Sequence, residues 1–267
     1  MSVENDFSVG SIPRHIIDLA IPMTLAQLVQ MAYNLVDRIY IGHLPGTSSI
    51  ALTGLGLTFP IITIIMAFTN LFSTGSVALY SIARGKQDAA AERRYMENVF
   101  LLLLLTSVVV MVLCFAFMHP ILYLFGASDE TYPYSAAYLR IYLIGTPLVM
   151  LATGMNGFIN AQGYGKTGMF TILIGAIINI ILDPIFIFVL DLGISGAAIA
   201  TVISQLLSVI WVMAFLPSRR SLTPLRVRQA RIDLTATKQI TQLGIAGFVM
   251  QATNGIVQVA ANNMLGI

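Results

Sequence analysis

The chain has 267 residues, of which 57% are hydrophobic and only 10% are charged. Ordinary soluble domains have roughly 45–50% apolar and about 25% charged residues, so the composition excludes a soluble protein and indicates a polytopic membrane protein. The formal net charge is +2 and the chain has one cysteine, which excludes an internal disulfide framework or a cysteine-based metal site.

Seven apolar runs are long enough to cross a bilayer, which takes roughly 20 residues. In chain order the predicted spans are 15–43, 50–82, 97–122, 134–160, 168–190, 194–216 and a run that starts near 238 and continues to Ile267. Pro22, Pro60 and Pro147 fall inside these runs and predict kinks, with Pro22 as a hinge. The predicted fold class is therefore an all-α polytopic membrane protein.

The basic residues predict the orientation. Twelve of the 14 lysines and arginines lie in the N-terminal segment or in the second, fourth and sixth connections. Because cytoplasmic loops are enriched in lysine and arginine, these segments are predicted to be cytoplasmic, with the protein in the plasma or inner membrane. The sixth connection is the longest, and we interpret it as a linker with room for an amphipathic surface helix.

After this linker the sequence resembles its own beginning. Residues 19–42 and 243–266 align with four identities, which predicts a parallel repeat. We therefore expect a six-helix lobe over 1–216, a linker over 217–237 and, over 238–267, the first helix of a truncated C-terminal lobe. A twelve-helix, two-lobe parent would supply the missing lobe as a partner.

Two acidic residues, Asp37 and Asp183, lie within apolar runs, whereas we assign the other ten to termini, loops or helix ends. A charge at the centre of a spanning helix costs about 2.5–3.5 kcal/mol, so each needs a reason. At 1.5 Å per residue, Asp37 lies roughly 9 Å, Asp183 roughly 12 Å and Thr201 roughly 13 Å below the predicted outer helix ends. Pro184 also leaves the carbonyl of Ile180 without its helical donor.

Further polar residues are predicted to lie near the common depth of Asp37, Asp183 and Thr201 and to form a ring of oxygen-containing side chains with them. An amide residue lies about one helical turn before each carboxylate, and another lies one turn after Thr201, so each pair shares a helical face. These neighbours are Asn34, Asn179 and Gln205, with Gln30 as a further candidate for lining. Such oxygens suit a proton relay or a hard cation. If the ion is Na+, the predicted metal ligands are Asp37, Asn179, Asp183 and Thr201.

Simpler roles remain open for the same residues. Asp183 could be a structural contact inside the helix bundle, and Asn179 and Thr201 could form ordinary interhelical hydrogen bonds. Asp37 could pair with the adjacent Arg38 as an interfacial anchor, although neighbouring residues point apart on a helix.

Four motifs resemble those of the multidrug and toxic compound extrusion (MATE) transporters, and the resemblance covers essentially the whole chain. The motifs are NLVDRIYIGHL in the first span, NAQGYGKTGMF before the fifth, NIILDPIFIF within it and GISGAAIATVISQ leading into the sixth. The resemblance implies two six-helix lobes and an antiporter that exchanges inward ion flow for outward transport of amphipathic, often cationic, compounds.

The resemblance also implies site residues. It assigns an ion or proton site to Asp37, Asn179, Asp183 and Thr201. A backbone oxygen is implied at Ala197, and a nearby tyrosine at Tyr138. The predicted coupling ion is H+ or Na+.

The function that the sequence and the resemblance predict is an ion-coupled antiporter that exports amphipathic, cationic drugs or toxic compounds. The expected partners are these small molecules and the lipid bilayer, with no nucleic acid. Because no nucleophile–base or metal-hydrolase pattern is present, we predict neither an enzyme nor a cofactor. The alternatives are a flippase for a lipid-linked or polymeric substrate and a truncated membrane protein that does not transport.

Overall fold

The structure of the protein is a computed structural model that describes residues 11–43 and 48–265. Within these residues the chain is helical and contains no strand. The helices are α1 (Ile12–Gly42), α2 (Ser48–Gly56), α3 (Phe59–Gly85), α4 (Ala89–Ala116), α5 (Met118–Leu124), α6 (Tyr132–Ala161), α7 (Gly165–Pro184), α8 (Gly193–Phe215) and α9 (Leu234–Leu265). A π-helical turn at Ile185–Val189 follows α7. The predicted all-α fold is confirmed.

Seven helical segments of the described chain are long and apolar enough to cross a membrane. They are His15–Gly42, Ser49–Gly85, Ala89–Ala116, Tyr132–Ala161, Gly165–Val189, Gly193–Phe215 and Leu234–Ala260. Many large apolar side chains on these helices are exposed, as expected for a surface that faces lipid. The protein is therefore a multi-pass membrane protein.

The second span is broken rather than kinked. A turn at Leu57 and Thr58 separates α2 from α3, and the hydroxyl of Thr58 donates to the carbonyl of Leu55 at 2.7 Å. Pro60 lies in the first turn of α3, where its missing N–H would have no helical acceptor in any case. Pro60 therefore begins a helix here, whereas Pro22 and Pro147 lie inside α1 and α6.

The third span begins earlier than predicted. In place of a span over 97–122, α4 starts just after Asp88, whose carboxylate accepts a backbone N–H of the first turn at 3.0 Å. The prediction followed the apolar run and missed this helix cap. As a result, Glu92 and Glu97 lie inside α4 and are buried, although the sequence placed them at a helix end or in a loop.

Helix α6 lies at the centre of the bundle and contacts α3, α4, α7 and α8. It approaches α8 closely at Gly145, where an added Cβ would lie 2.6 Å from a methyl group of Val202. The rings of Phe158 and Tyr80 meet edge to face with centroids 5.2 Å apart, and both side chains are fully buried. Small residues and interlocking rings thus bring the helices together without an aqueous hydrophobic driving force.

Helix α9 packs along α3 through a crossing of two glycines. A Cβ at Gly75 would overlap the carbonyl of Ile240, and a Cβ at Gly244 would overlap the carbonyl of Leu71. The backbones can approach this closely only because both residues lack a side chain. Whether α9 opens a second lobe stays a prediction.

The segment between α8 and α9, residues 216–233, is called the basic linker below. It forms a single 3₁₀ turn at Val227–Gln229, so the amphipathic α-helix suggested for this connection is not found within residues 216–233. Helix α9 starts before 238 because Asp233 caps it, accepting the N–H of Ala236 at 3.0 Å. Arg94 forms an ion pair with Asp233 at 2.6 Å and thereby holds the pKa of that carboxyl below its usual value of 3.8.

The glycine crossing predicts that Gly244→Ala destabilises the protein. Overpacking costs about 1–3 kcal/mol of unfolding free energy, and thermal denaturation in detergent measures the loss. The matched control is Gly255→Ala on the same helix, where a Cβ would make an ordinary contact of 3.4 Å with Thr63. Equal melting temperatures for the two variants would contradict the crossing.

Candidate functional site

A cavity of about 600 Å³ lies between α1, α3, α6, α7 and α8, and α9 contributes Gln251 to its wall. Seven of the predicted residues line it: Gln30, Asn34, Asp37, Tyr138, Asn179, Thr201 and Gln205. Asp183 lies behind the wall and is fully buried, as is Ala197 one turn before Thr201 in α8. Pro22 is buried inside α1, so its proposed role as a hinge stays a prediction.

Asn179 joins α7 to α8 in the wall of this cavity. Its amide nitrogen donates to the carboxylate of Asp183 at 3.2 Å and to the hydroxyl of Thr201 at 3.4 Å. Asn179 and Asp183 are 1% and 0% exposed, so these hydrogen bonds replace the water that the groups would otherwise need. The predicted shared face of Asn179 and Asp183 is therefore present, and Thr201 lies at the same level.

The two membrane carboxylates meet. The side chains of Asp37, from α1, and Asp183, from α7, interact directly, and Asp37 reaches the cavity while Asp183 is enclosed. Two carboxylates in contact repel each other unless a proton or a cation lies between them. Asp37 and Asp183, which the sequence analysis predicted to lie at similar depth, are therefore neighbours across the packing of α1 on α7.

Three oxygens of this cluster are buried and have no hydrogen-bond donor: Oδ1 of Asp37, Oδ1 of Asn179 and Oδ2 of Asp183. Buried acceptors are nearly always satisfied in folded proteins, and exceptions point to a missing water, ion or proton. Carboxylate, amide and hydroxyl oxygens are the donor set of a hard cation, and the carboxylates alone suffice to bind a proton. The chemistry of the cluster therefore fits either ion.

The backbone after Asp183 departs from a regular helix. Pro184 ends α7, and the following π-helical turn closes with the N–H of Leu190 donating to the carbonyl of Ile185 at 2.9 Å. Gly196 in α8 packs on this turn, where an added Cβ would lie 2.6 Å from the carbonyl of Phe186. This close approach holds the start of α8 against the end of α7 and brings Thr201 to Asn179.

The alternative of an Asp37–Arg38 anchor is not supported. Within residues 11–43 and 48–265 no ion pair joins them, and the guanidinium of Arg38 lies over the ring of Phe59, 4.7 Å from its centroid. That cation–π contact engages Arg38, and neighbouring residues point apart on a helix.

Two further tyrosines belong to the site and were not predicted. Tyr33 interacts with Gln30 and lies near both carboxylates, and Tyr142 stacks on Tyr138 with centroids 6.1 Å apart. Tyr138 itself interacts with Thr201 and Asp37. The available signal was spacing, since Tyr33 lies one helical turn before Asp37 and Tyr142 one turn after Tyr138.

A second polar group lines the part of the cavity near the start of α7. Thr171 donates to Asn156 at 2.9 Å, and Asn156 donates to the carbonyl of Gly168 at 3.2 Å. Asn160 also lines the cavity, and its buried Oδ1 has no donor. The cavity is therefore polar along its length, whereas its lining in the described chain includes only two charged side chains, Asp37 and Arg38.

Helices long and apolar enough to span a membrane surround a polar cavity whose wall carries two neighbouring carboxylates, which defines a polytopic membrane protein with a polar interior site. The family model MatE matches residues 22–185. The chain belongs to this family, which confirms the resemblance drawn from its motifs.

Individual proteins agree with this assignment. The multidrug export protein MepA of Staphylococcus haemolyticus is 29% identical over 97% of this chain and 57% of its own length. A crystal structure of a MATE in complex with MaD3S has a TM-score of 0.84 at 26% identity, over 91% of this chain and 54% of that one. An outward-facing multidrug resistance MATE transporter has a TM-score of 0.83 at 26% identity, over 91% and 53%. The chain thus spans about half the length of its relatives.

The hydrogen bond between Asn179 and Thr201 predicts that Thr201→Val lowers stability. The substitution keeps the shape of the side chain but leaves the buried amide without one acceptor, which costs about 1 kcal/mol inside a membrane protein. Thermal denaturation in detergent measures the change. The control is Thr69→Val, because Thr69 is also a buried threonine but its hydroxyl donates only to its own helix, at Ile65. A smaller loss for Thr201→Val than for Thr69→Val would refute the interhelical role.

Proposed function

We propose that this protein is an ion-coupled antiporter that exports amphipathic, cationic compounds across the cell membrane. The observation that carries the proposal is the contact of Asp37 with Asp183 at the cavity wall, beside three buried oxygens without donors. The family assignment and the names of the relatives support export as the direction of transport. The N-terminus and the basic linker would lie in the cytoplasm, as the basic residues predict.

The coupling step would take place at the outer end of the cavity. A proton or Na+ entering between Asp37 and Asp183 would relieve the repulsion of the two carboxylates and supply the missing partner of their free oxygens. Asn179 and Thr201 would hold Asp183 in place through the hydrogen bonds described above. Ala197 and Tyr138 would support the same level from α8 and α6.

Substrate binding would use the cavity surface that leads to this site. Amide, hydroxyl and tyrosine groups line its wall, together with Met23, Met66 and Met169. Flexible methionines and aromatic rings can accommodate compounds of different shapes, and the Asp37 carboxylate would attract positive charge. A bound cation and a coupling ion would then compete for one negative site, which is the requirement for exchange.

A change in the path of α1 would link ion binding to the two access states. Asp37 lies in the outer half of α1 and Pro22 in its inner half, and Pro22 leaves one carbonyl of the helix without its donor. Binding an ion at Asp37 would favour one packing of α1 against α7 and thereby shift the population between inward-open and outward-open forms.

A flippase for lipid-linked or polymeric substrates is the weaker alternative. Such substrates carry anionic head groups and call for a cationic cavity. Arg38 is the one basic side chain among the described residues that line this cavity, and it is engaged with Phe59.

The proposal predicts that Asp37→Asn and Asp183→Asn each abolish ion-driven export. Efflux of a cationic fluorescent dye would be followed in cells that produce the protein as it is naturally encoded, under an imposed ion gradient. The control is Asp191→Asn, which removes the same charge from an exposed position in the turn after α7. Export at the wild-type rate by both site variants would refute the coupling mechanism.

The same assay distinguishes the coupling ion. A pH gradient without Na+ and a Na+ gradient without a pH difference are imposed separately on membrane vesicles that contain the protein. We expect one gradient to drive dye movement and that response to disappear in Asp183→Asn. A rate of dye movement that is unchanged by either gradient would exclude H+ and Na+ as coupling ions.

A further inference from the structure

The basic linker is fixed to the helix bundle by buried hydrogen bonds. Ser221 donates to the side chain of Gln162 at 2.9 Å, and the N–H of Leu222 donates to the same oxygen at 2.8 Å. Thr223 donates to Glu92 and accepts from the hydroxyl of Tyr80. These contacts pair Ser221 and Thr223 of the linker with side chains of the bundle. The linker therefore has one defined path across the ends of α3, α4 and α6.

The arginines of the linker lie on its exposed side, away from the helix bundle. All five are exposed: Arg219, Arg220, Arg226, Arg228 and Arg231. None of them forms an ion pair within the described chain, and the one acidic residue of the linker, Asp233, is paired with Arg94 of α4. A defined backbone therefore presents a cluster of uncompensated positive charge.

Apolar side chains are interleaved with this charge. Val227, Ile232 and Leu234 are 43%, 46% and 80% exposed, which is unfavourable in water and favourable at the boundary of a bilayer. Trp211 marks that boundary one turn before the end of α8, where its ring is partly exposed and its N–H donates to the carbonyl of Thr167 at 3.2 Å. Tryptophan is enriched at the level of lipid head groups.

We propose that the basic linker is a binding surface for anionic phospholipids. The guanidinium groups would bind lipid phosphates through paired N–H donors, while Val227, Ile232 and Leu234 would enter the region between head groups and acyl chains. Charge complementarity favours an anionic lipid over a zwitterionic one. The path of the linker from one spanning helix to the next keeps this surface at the membrane.

This surface is separate from the ion site and does not depend on the proposed transport activity. It would link the lipid composition of the membrane to the position of α9, because the linker ends at the cap of that helix and α9 crosses α3 at Gly75 and Gly244.

The test compares two pairs of charge removals in the full chain. Arg228→Gln with Arg231→Gln removes two linker charges. Lys86→Gln with Lys166→Gln removes two exposed charges on the same side of the bundle, one from the α3–α4 connection and one from the first turn of α7. Native mass spectrometry in detergent measures the affinity for phosphatidylglycerol and for phosphatidylcholine. None of the four residues has a side-chain hydrogen bond within the described chain, so folding should be retained, and melting temperatures check this.

We expect the unmodified chain to prefer phosphatidylglycerol. Each positive charge at a membrane surface contributes about fivefold to the affinity for anionic lipid, so the arginine pair should lose at least that factor while the lysine pair keeps its preference. Arg228→Lys with Arg231→Lys should restore most of the binding. No preference in the unmodified chain, or equal losses in the glutamine variants of both pairs, would overturn the proposal.

Discussion

The structure depends on two carboxylates that meet inside a membrane protein. A charge on Asp37 or Asp183 alone would be costly, because each lies in a spanning helix at a depth where water is scarce. When the two carboxylates lie together, the cost of burying their charge depends on what lies between them, because one proton or cation can neutralise part of the charge of both. Under the proposed mechanism, the helices that carry them, α1 and α7, would pack best with an ion bound between the two carboxylates.

The surrounding structure fixes the geometry of Asp183. Asn179 uses both protons of its amide group to hold Asp183 and Thr201, so the carboxylate has a fixed orientation. Pro184 and the π-helical turn end α7 immediately afterwards, and Gly196 lets α8 approach that turn. The irregular backbone thus directly follows the residues of the candidate ion site.

Much of the site could be predicted from the sequence because burial of polar residues leaves a local signal. Asp183 stands out in an apolar run, Asn179 lies one turn before it, and counting residues from the helix ends places Asp37 and Thr201 at one depth. Tyr33 and Tyr142 gave only the weaker signal of helical spacing, because a tyrosine in a spanning helix is common. The contact of Asp37 with Asp183 required the packing of α1 on α7, which no periodicity encodes.

The fold itself was predictable to the level of seven spans, and its departures share one cause. The break before α3, the early start of α4 and the path of the basic linker are all decided by caps and hydrogen bonds of single residues. Helix ends are set here by the hydrogen bonds of Thr58, Asp88 and Asp233. A search for apolar runs reports only hydropathy averaged over a turn or more, so it misses such single residues. The pairing of Gly75 with Gly244 likewise depends on the partner helix.

The measurement that tests the central claim most directly is infrared difference spectroscopy of the purified protein on addition of H+ or Na+. A carboxyl group that gains a proton or binds a cation away from water changes its C=O stretching band. The account predicts such a band change in the unmodified chain and its loss in both Asp37→Asn and Asp183→Asn. A change that persists in both variants, or none in the unmodified chain, would contradict a shared ion site at these two residues.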